Sequence, residues 1–188
     1  VTNSITGCYT ITQLTLNVTV NPTQVVTLDE CDNDGTEDGI TTFNLADAGF
    51  EQAGNTVTYF SSSNDALLEQ NQITTTTFTT QTVYARIENG NDCIGLNVIN
   101  LIVKPLPNFT LTQFGLLCLN NVSQPTQLTA QMANPLSHSF LWTPTNETTQ
   151  SIDVTQNGTY TVTVTNNATS CSKTLDILVT GSEIATIQ

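Results

Sequence analysis

The chain has 188 residues, a formal charge of −13 and only 10% charged residues. That length suits two sandwich modules of about 100 residues each and excludes one large α/β enzyme with a deep core. Its only cations, Arg86, Lys104 and Lys173, give no basic footprint for nucleic acid and no attraction to an anionic membrane surface, and no stretch approaches the roughly 20 apolar residues that span a bilayer.

Thr, Asn, Val, Leu and Ile dominate, a composition that fits pleated, half-buried strands. The low charge argues against disorder. Residues 1–22 read as the closing strands of a truncated preceding module, with Asn21-Pro22 as a linker. Residues 23–106 read as the first whole module. Val25-Val26-Thr27-Leu28 opens it as a strand, and an acidic loop over 29–39 follows. Phe43-Asn44-Leu45-Ala46-Asp47-Ala48 reads as a strand end with a short helical turn, Thr56–Phe60 as a strand and Asp65–Gln70 as a second helical turn. The Thr-rich stretch 74–80 is extended. Gln81–Ile87 sets Val83, Ala85 and Ile87 against Thr82, Tyr84 and Arg86 as a core strand, and Asn89-Gly90-Asn91-Asp92 is a hairpin turn. Ile99–Val103 closes the module. Lys104-Pro105-Leu106-Pro107 is a short, stiff linker.

Residues 107–180 form the second module, marked by Phe140-Leu141-Trp142, Ile152-Asp153-Val154 and the alternating strand from Thr159 to Val164. Residues 181–188 read as the start of a further module, so the whole reads as a section of something longer. Strands at 8–12-residue spacing with turns between them predict an all-β chain of tandem sandwich modules.

Five cysteines occur, at 8, 31, 93, 118 and 171. A repeat organises them. Cys8/Cys93, Leu16/Leu101, Val18/Val103 and Pro22/Pro107 all stand 85 apart. A third copy runs from Cys171 into Leu175, Ile177 and Val179. Each is a cysteine leading into an alternating last strand. Cys31 precedes Cys93 and Cys118 precedes Cys171, which predicts one bridge within each module, Cys31–Cys93 and Cys118–Cys171. Cys8 is left unpaired by truncation. The alternative, five reduced cysteines in a cytosolic protein, fits poorly with the absence of any metal-type CxxC spacing.

The acidic loop is the one candidate for site chemistry. Asp32, Asp34 and Asp38, with the Thr36 carbonyl between them and Glu30 or Glu37 completing the set, place oxygens around Gly35 in a way that could hold calcium. The twelve-residue EF-hand pattern fails, because Thr41 stands where its bidentate Glu belongs. The competing reading is a solvated acidic turn. His138 is the only histidine, which argues against a zinc or triad site. Trp142 and Tyr160 read as module core in preference to carbohydrate-stacking residues. Lys104 and Lys173 read as strand-edge protection in preference to lysine–amide crosslinks.

The run Leu28-Asp29-Glu30-Cys31-Asp32-Asn33-Asp34-Gly35-Thr36-Glu37-Asp38-Gly39, then Phe43-Asn44-Leu45, Val57-Thr58-Tyr59-Phe60-Ser61 and Gln81–Asn89, resembles repeats of large surface proteins of gliding Bacteroidetes. Those proteins usually end in a type B sorting domain read by the type IX secretion system. Leu141-Trp142-Thr143-Pro144, Asn157-Gly158-Thr159-Tyr160-Thr161-Val162 and Cys171 are similar to PKD- and Ig-like domains of the same proteins. The resemblance implies an extracellular, non-catalytic adhesive or structural segment. Its partners are then neighbouring modules, copies packed alongside, or a glycan or protein ligand. A binding module, or the stalk of a secreted enzyme, are the alternative functions.

Overall fold

The computed structural model describes residues 5–7, 22–90, 92–119 and 124–183. Cys8 and the rest of the expected truncated module, apart from 5–7 and Pro22, lie outside the described residues, as do 184–188.

The first module is built on one four-stranded sheet. β1 (Val25–Cys31) comes first, followed by the two-residue β2 (Thr41–Thr42), a 3-10 turn at Leu45–Ala48, and β3 (Thr56–Phe60). Helix α1 (Ser63–Leu68), the two-residue β4 (Thr77–Phe78), β5 (Gln81–Asn89) and the long β6 (Asp92–Lys104) complete it. The order in the sheet is β1-β6-β5-β3. β1 runs parallel to β6, while β5 is antiparallel to both β6 and β3. β2 and β4 pair as a small second layer. Period-two alternation sends Val83, Ala85 and Ile87 of β5 inward with Ile99 and Leu101 of β6. Phe43, Leu45, Phe50 and Phe78 from the second layer and the turn beside it cover them. Burying each such side chain contributes about 1.5–3 kcal/mol. α1 starts two residues before the expected Asp65, because the Ser62 hydroxyl caps it by accepting from the Asp65 N–H at 3.0 Å.

The second module is a two-sheet sandwich. β7 (Thr110–Phe114), β8 (Leu117–Cys118), β9 (Thr126–Gln131), β10 (His138–Thr143), β11 (Ser151–Val154), β12 (Gly158–Asn166), β13 (Ser172–Val179) and β14 (Gly181–Ser182) follow in turn. One sheet is β10-β12-β13, the other β11-β9-β7. Trp142, Leu128, Ile152, Val162 and Val164 meet between them. Trp142 is fully buried and its indole N–H donates to the Thr149 carbonyl at 2.9 Å, while the Tyr160 hydroxyl donates to the Gln156 carbonyl at 3.0 Å. Both aromatics are core, as their pattern predicts.

The first strand of this module changes partner midway. After β7 the chain turns at Gly115, whose φ of 87° favours glycine, and β8 then pairs in parallel with β14. Gly181-Ser182, expected to open a further module, therefore extend the last strand of the second. Among the described residues no helix is long and apolar enough to cross a membrane.

Candidate functional site: a disulfide between the modules

The expected bridges do not form. Cys31 is bonded to Cys171, at a Cα–Cα distance of 5.7 Å, and the bond joins the two modules. Cys93 and Cys118 are free thiols. The parallel pairing of β1 with β6 explains why Cys31–Cys93 is impossible. Cys31 stands opposite Lys104, at the downstream end of β6, whereas Cys93 sits eleven residues back at the upstream end. At about 3.3 Å per residue that is roughly 36 Å, far beyond the 4.4–6.8 Å that a disulfide spans. Cys118–Cys171 fails for the same reason, because Cys118 pairs beside Ser182, eleven residues downstream of Cys171.

Each half of the bond is held by its backbone. At Cys31 the chain leaves β1, and the Asp32 N–H donates to the Lys104 carbonyl at 2.9 Å. The Cys31 carbonyl accepts from the Asn33 N–H at 2.9 Å and from the hydroxyl of buried Thr41 at 3.1 Å. Cys171 is fully buried and closes the β12–β13 hairpin, its carbonyl accepting from the Asn166 N–H at 2.9 Å. Two residues on, the Lys173 ammonium forms an ion pair with the Glu37 carboxylate of the first module. Lys104, at the start of the linker, pairs with Asp29. Both lysines therefore serve as ion-pair partners around the junction.

The acidic loop belongs to this junction. Asp32 is 5% exposed, and its Oδ2 accepts from the Gly39 N–H at 2.9 Å. Asp34 Oδ1 accepts from both the N–H and the hydroxyl of Thr36 at 3.0 Å, and Asp38 Oδ1 accepts from the Ile40 N–H at 3.0 Å. These are local turns that fold the carboxylates back onto the chain. Among the described residues no group of three or more His, Cys, Asp or Glu side chains is placed to hold a metal ion. Of the expected calcium set of Glu30, Asp32, Asp34, Thr36 and Asp38, the three aspartates each accept from a different backbone N–H, and Glu37 is directed to Lys173. Asp32 Oδ1 is buried without a partner.

Sequence reasoning missed two polar clusters. Arg86 is 8% exposed and donates to Glu88 at 2.7 Å, Glu69 at 2.6 Å and the Ala66 carbonyl at 3.2 Å, tying α1 to the sheet. Its only sequence signal was an arginine inside an alternating strand. Tyr59 and Glu51 line an open groove of about 350 Å³ with Phe43, Leu45 and Ile73. The Tyr59 hydroxyl has no partner, and burial, with Glu51 nearby, pushes its pKa up to about 12. His138 Nδ1 lies 2.9 Å from the Asn134 carbonyl and 3.0 Å from the Ser137 hydroxyl, a loop-end contact.

Comparison with known proteins bears on this junction. Residues 27–107 match the family model of the Flavobacterium inter-domain disulphide bond domain. The matched segment contains Cys31, and the cysteine it bonds lies beyond the segment in the next module. No curated protein matches the chain. Among solved structures it is similar to the N-terminal four Ig domains of Dscam1 isoform 8.4, at 10% identity and a TM-score of 0.32, covering 90% of this chain and 46% of that one. It is also similar to murine CEACAM1b, at 13% identity and a TM-score of 0.29, covering 69% and 86%. Sidekick-1 immunoglobulin domains 1–4 align at 12% identity and a TM-score of 0.27, covering 87% and 50%. The chain thus spans less than half the length of the Dscam1 fragment, and at these scores the fold rests on the strand pairing itself. A disulfide between all-β modules, in a segment similar to a flavobacterial disulphide domain, belongs to an oxidising, extracellular setting.

Proposed function

We propose that this chain is a non-catalytic structural segment of a bacterial cell-surface protein, in which successive β-modules are locked end to end as a stiff rod. The observation that carries this reading is the Cys31–Cys171 bond. It adds a second covalent connection beside the linker, and two connections between two bodies remove the bending freedom that one leaves. The Glu37–Lys173 pair braces the same junction. Export by the type IX system and a role in adhesion or gliding extend this reading through the resemblance of residues 23–106. The modules as expected, 23–106 and 107–180, are its repeating units, with lateral packing of copies a further consequence of their nearly uncharged, Thr-rich strands.

Small-angle scattering tests the reading. The oxidised chain is expected to give one narrow distribution of intermodule distances, and Cys31→Ser a broad one. Equal distributions would remove the rod.

A second reading has one observation in its favour. The groove beside Tyr59 sets Phe43, Leu45 and Ile73 next to Glu51, Thr74 and Thr75, which suits a polar ligand with an apolar face, such as a glycan. Glycan-array binding abolished by Tyr59→Ala supports it, and binding unchanged by that substitution removes it.

A further inference from the structure

The two free thiols occupy the same positions on their modules as the two bonded cysteines. At the downstream end, Cys31 pairs in parallel with Lys104, and the next residue, Asp32, donates its N–H to the Lys104 carbonyl at 2.9 Å. Cys118 pairs in parallel with Ser182, and the next residue, Leu119, donates its N–H to the Ser182 carbonyl at 3.0 Å. At the upstream end, Cys171 faces Asn166 across a hairpin with four residues between them. Cys93 faces Glu88 across a hairpin that also has four residues between them. In both modules the upstream cysteine lies eleven residues before the residue that pairs the downstream one. That is roughly 36 Å at about 3.3 Å per residue. The Cys31–Cys171 bond joins a downstream position on one module to an upstream position on the next. Cys93 is exposed and Cys118 half-buried, each at the end of its module that faces away from this bond.

We propose that Cys118 and Cys93 are the outward halves of the same staple. Cys118 bonds the upstream cysteine of the β-module that follows, and Cys93 bonds the downstream cysteine of the module that precedes. The joint is heterologous and head to tail, so it repeats without closing, as a filament requires. The proposal rests on the stacked-module reading but is tested apart from it, since the scattering comparison above concerns Cys31 alone.

A second copy of the chain serves as the neighbouring module. The full chain carrying Cys8→Ser, so that only Cys93 and Cys118 are free, is equilibrated at high concentration in a glutathione buffer. Each intermolecular bond passes two electrons and two protons from two thiols to one oxidised glutathione, which leaves as two glutathione thiols. Bonded peptides are then mapped without reduction. Random collision between two equally reactive thiols gives about half Cys93–Cys118 pairs, the rest being like-with-like, whereas a directed head-to-tail joint yields a clear excess of Cys93–Cys118. As a second readout, Cys93→Ser mixed with Cys118→Ser, both in the Cys8→Ser chain, is expected to give a dimer that neither gives alone. A random mixture of pairs, an excess of Cys93–Cys93 or Cys118–Cys118, or no intermolecular product overturns the proposal.

Discussion

Lys173 meets Glu37 across the boundary between the modules, two residues beyond Cys171 and six beyond Cys31. A covalent bond and an ion pair thus act on the same two segments. The disulfide fixes their separation, and the pair resists rotation about it. Half of the Glu37 side chain is exposed, at 48%, against 22% for Lys173, so water screens the charges and the bond dominates.

A double-mutant cycle of Glu37→Gln and Lys173→Met is therefore expected to give a coupling below about 1 kcal/mol. Raising salt to about 1 M, where the Debye length is near 3 Å, removes most of it. A coupling several times larger would show that the pair is drier than its exposure indicates.

Removing the bond acts more strongly. Cys31→Ser, Cys171→Ser or a reductant is expected to cost about 2–5 kcal/mol and to separate the melting of the modules into two calorimetric transitions. Cys93→Ser and Cys118→Ser leave the melt within about 1 kcal/mol of the parent. Non-reducing peptide maps distinguish the cases directly, and recovery of a Cys31–Cys93 peptide would contradict the strand register.

Asp32 organises the acidic loop from within. Asp32→Ala strands the Gly39 N–H and is expected to cost about 1–3 kcal/mol, with Asp32→Asn costing less because an amide oxygen still accepts. Melting temperatures with chelator and with millimolar calcium are expected to coincide, since the carboxylates are engaged in separate turns. A calcium-dependent rise lost in Asp32→Asn would instead assign the unpartnered Oδ1 to a cation.

Tyr59 yields a pH dependence. Its folded pKa of about 12 lies above the ordinary tyrosine value near 10, so the unfolded chain releases this proton first. Stability is then intact below pH 10 and falls as pH rises from 10 towards 12. Tyr59→Phe removes an unpartnered buried hydroxyl. It is expected to flatten that alkaline fall and to raise stability near pH 7 by about 1 kcal/mol, both read from urea titrations.

The β architecture was legible in the residues because alternation and turn chemistry agree. Val83, Ala85 and Ile87 point inward as their spacing requires, and Trp142 and Tyr160 lie in the core. The cysteine repeat was also legible. The bonding partners were not, since spacing does not determine connectivity. Two cysteines bracketing one module look like an internal pair until β1 is known to run parallel to β6, which puts them at opposite ends. An antiparallel first strand would have brought them closer. The acidic loop is ambiguous in sequence for a related reason. Alternating carboxylates serve a cation or their own backbone equally well in sequence, and only the folded turns show Asp34 and Asp38 bonding two residues ahead.

The Cys31–Cys171 bond also changes how the chain responds to force. Tension applied at Pro22 and Glu183 runs along β1 to Cys31, crosses to Cys171 and leaves through β13. The 140-residue span between the two cysteines is bypassed, and about 480 Å of contour stays in reserve. While the bond is intact, pulling can unravel only the short segments outside it. Reduction converts the same segment from a nearly inextensible strut into a long, compliant tether.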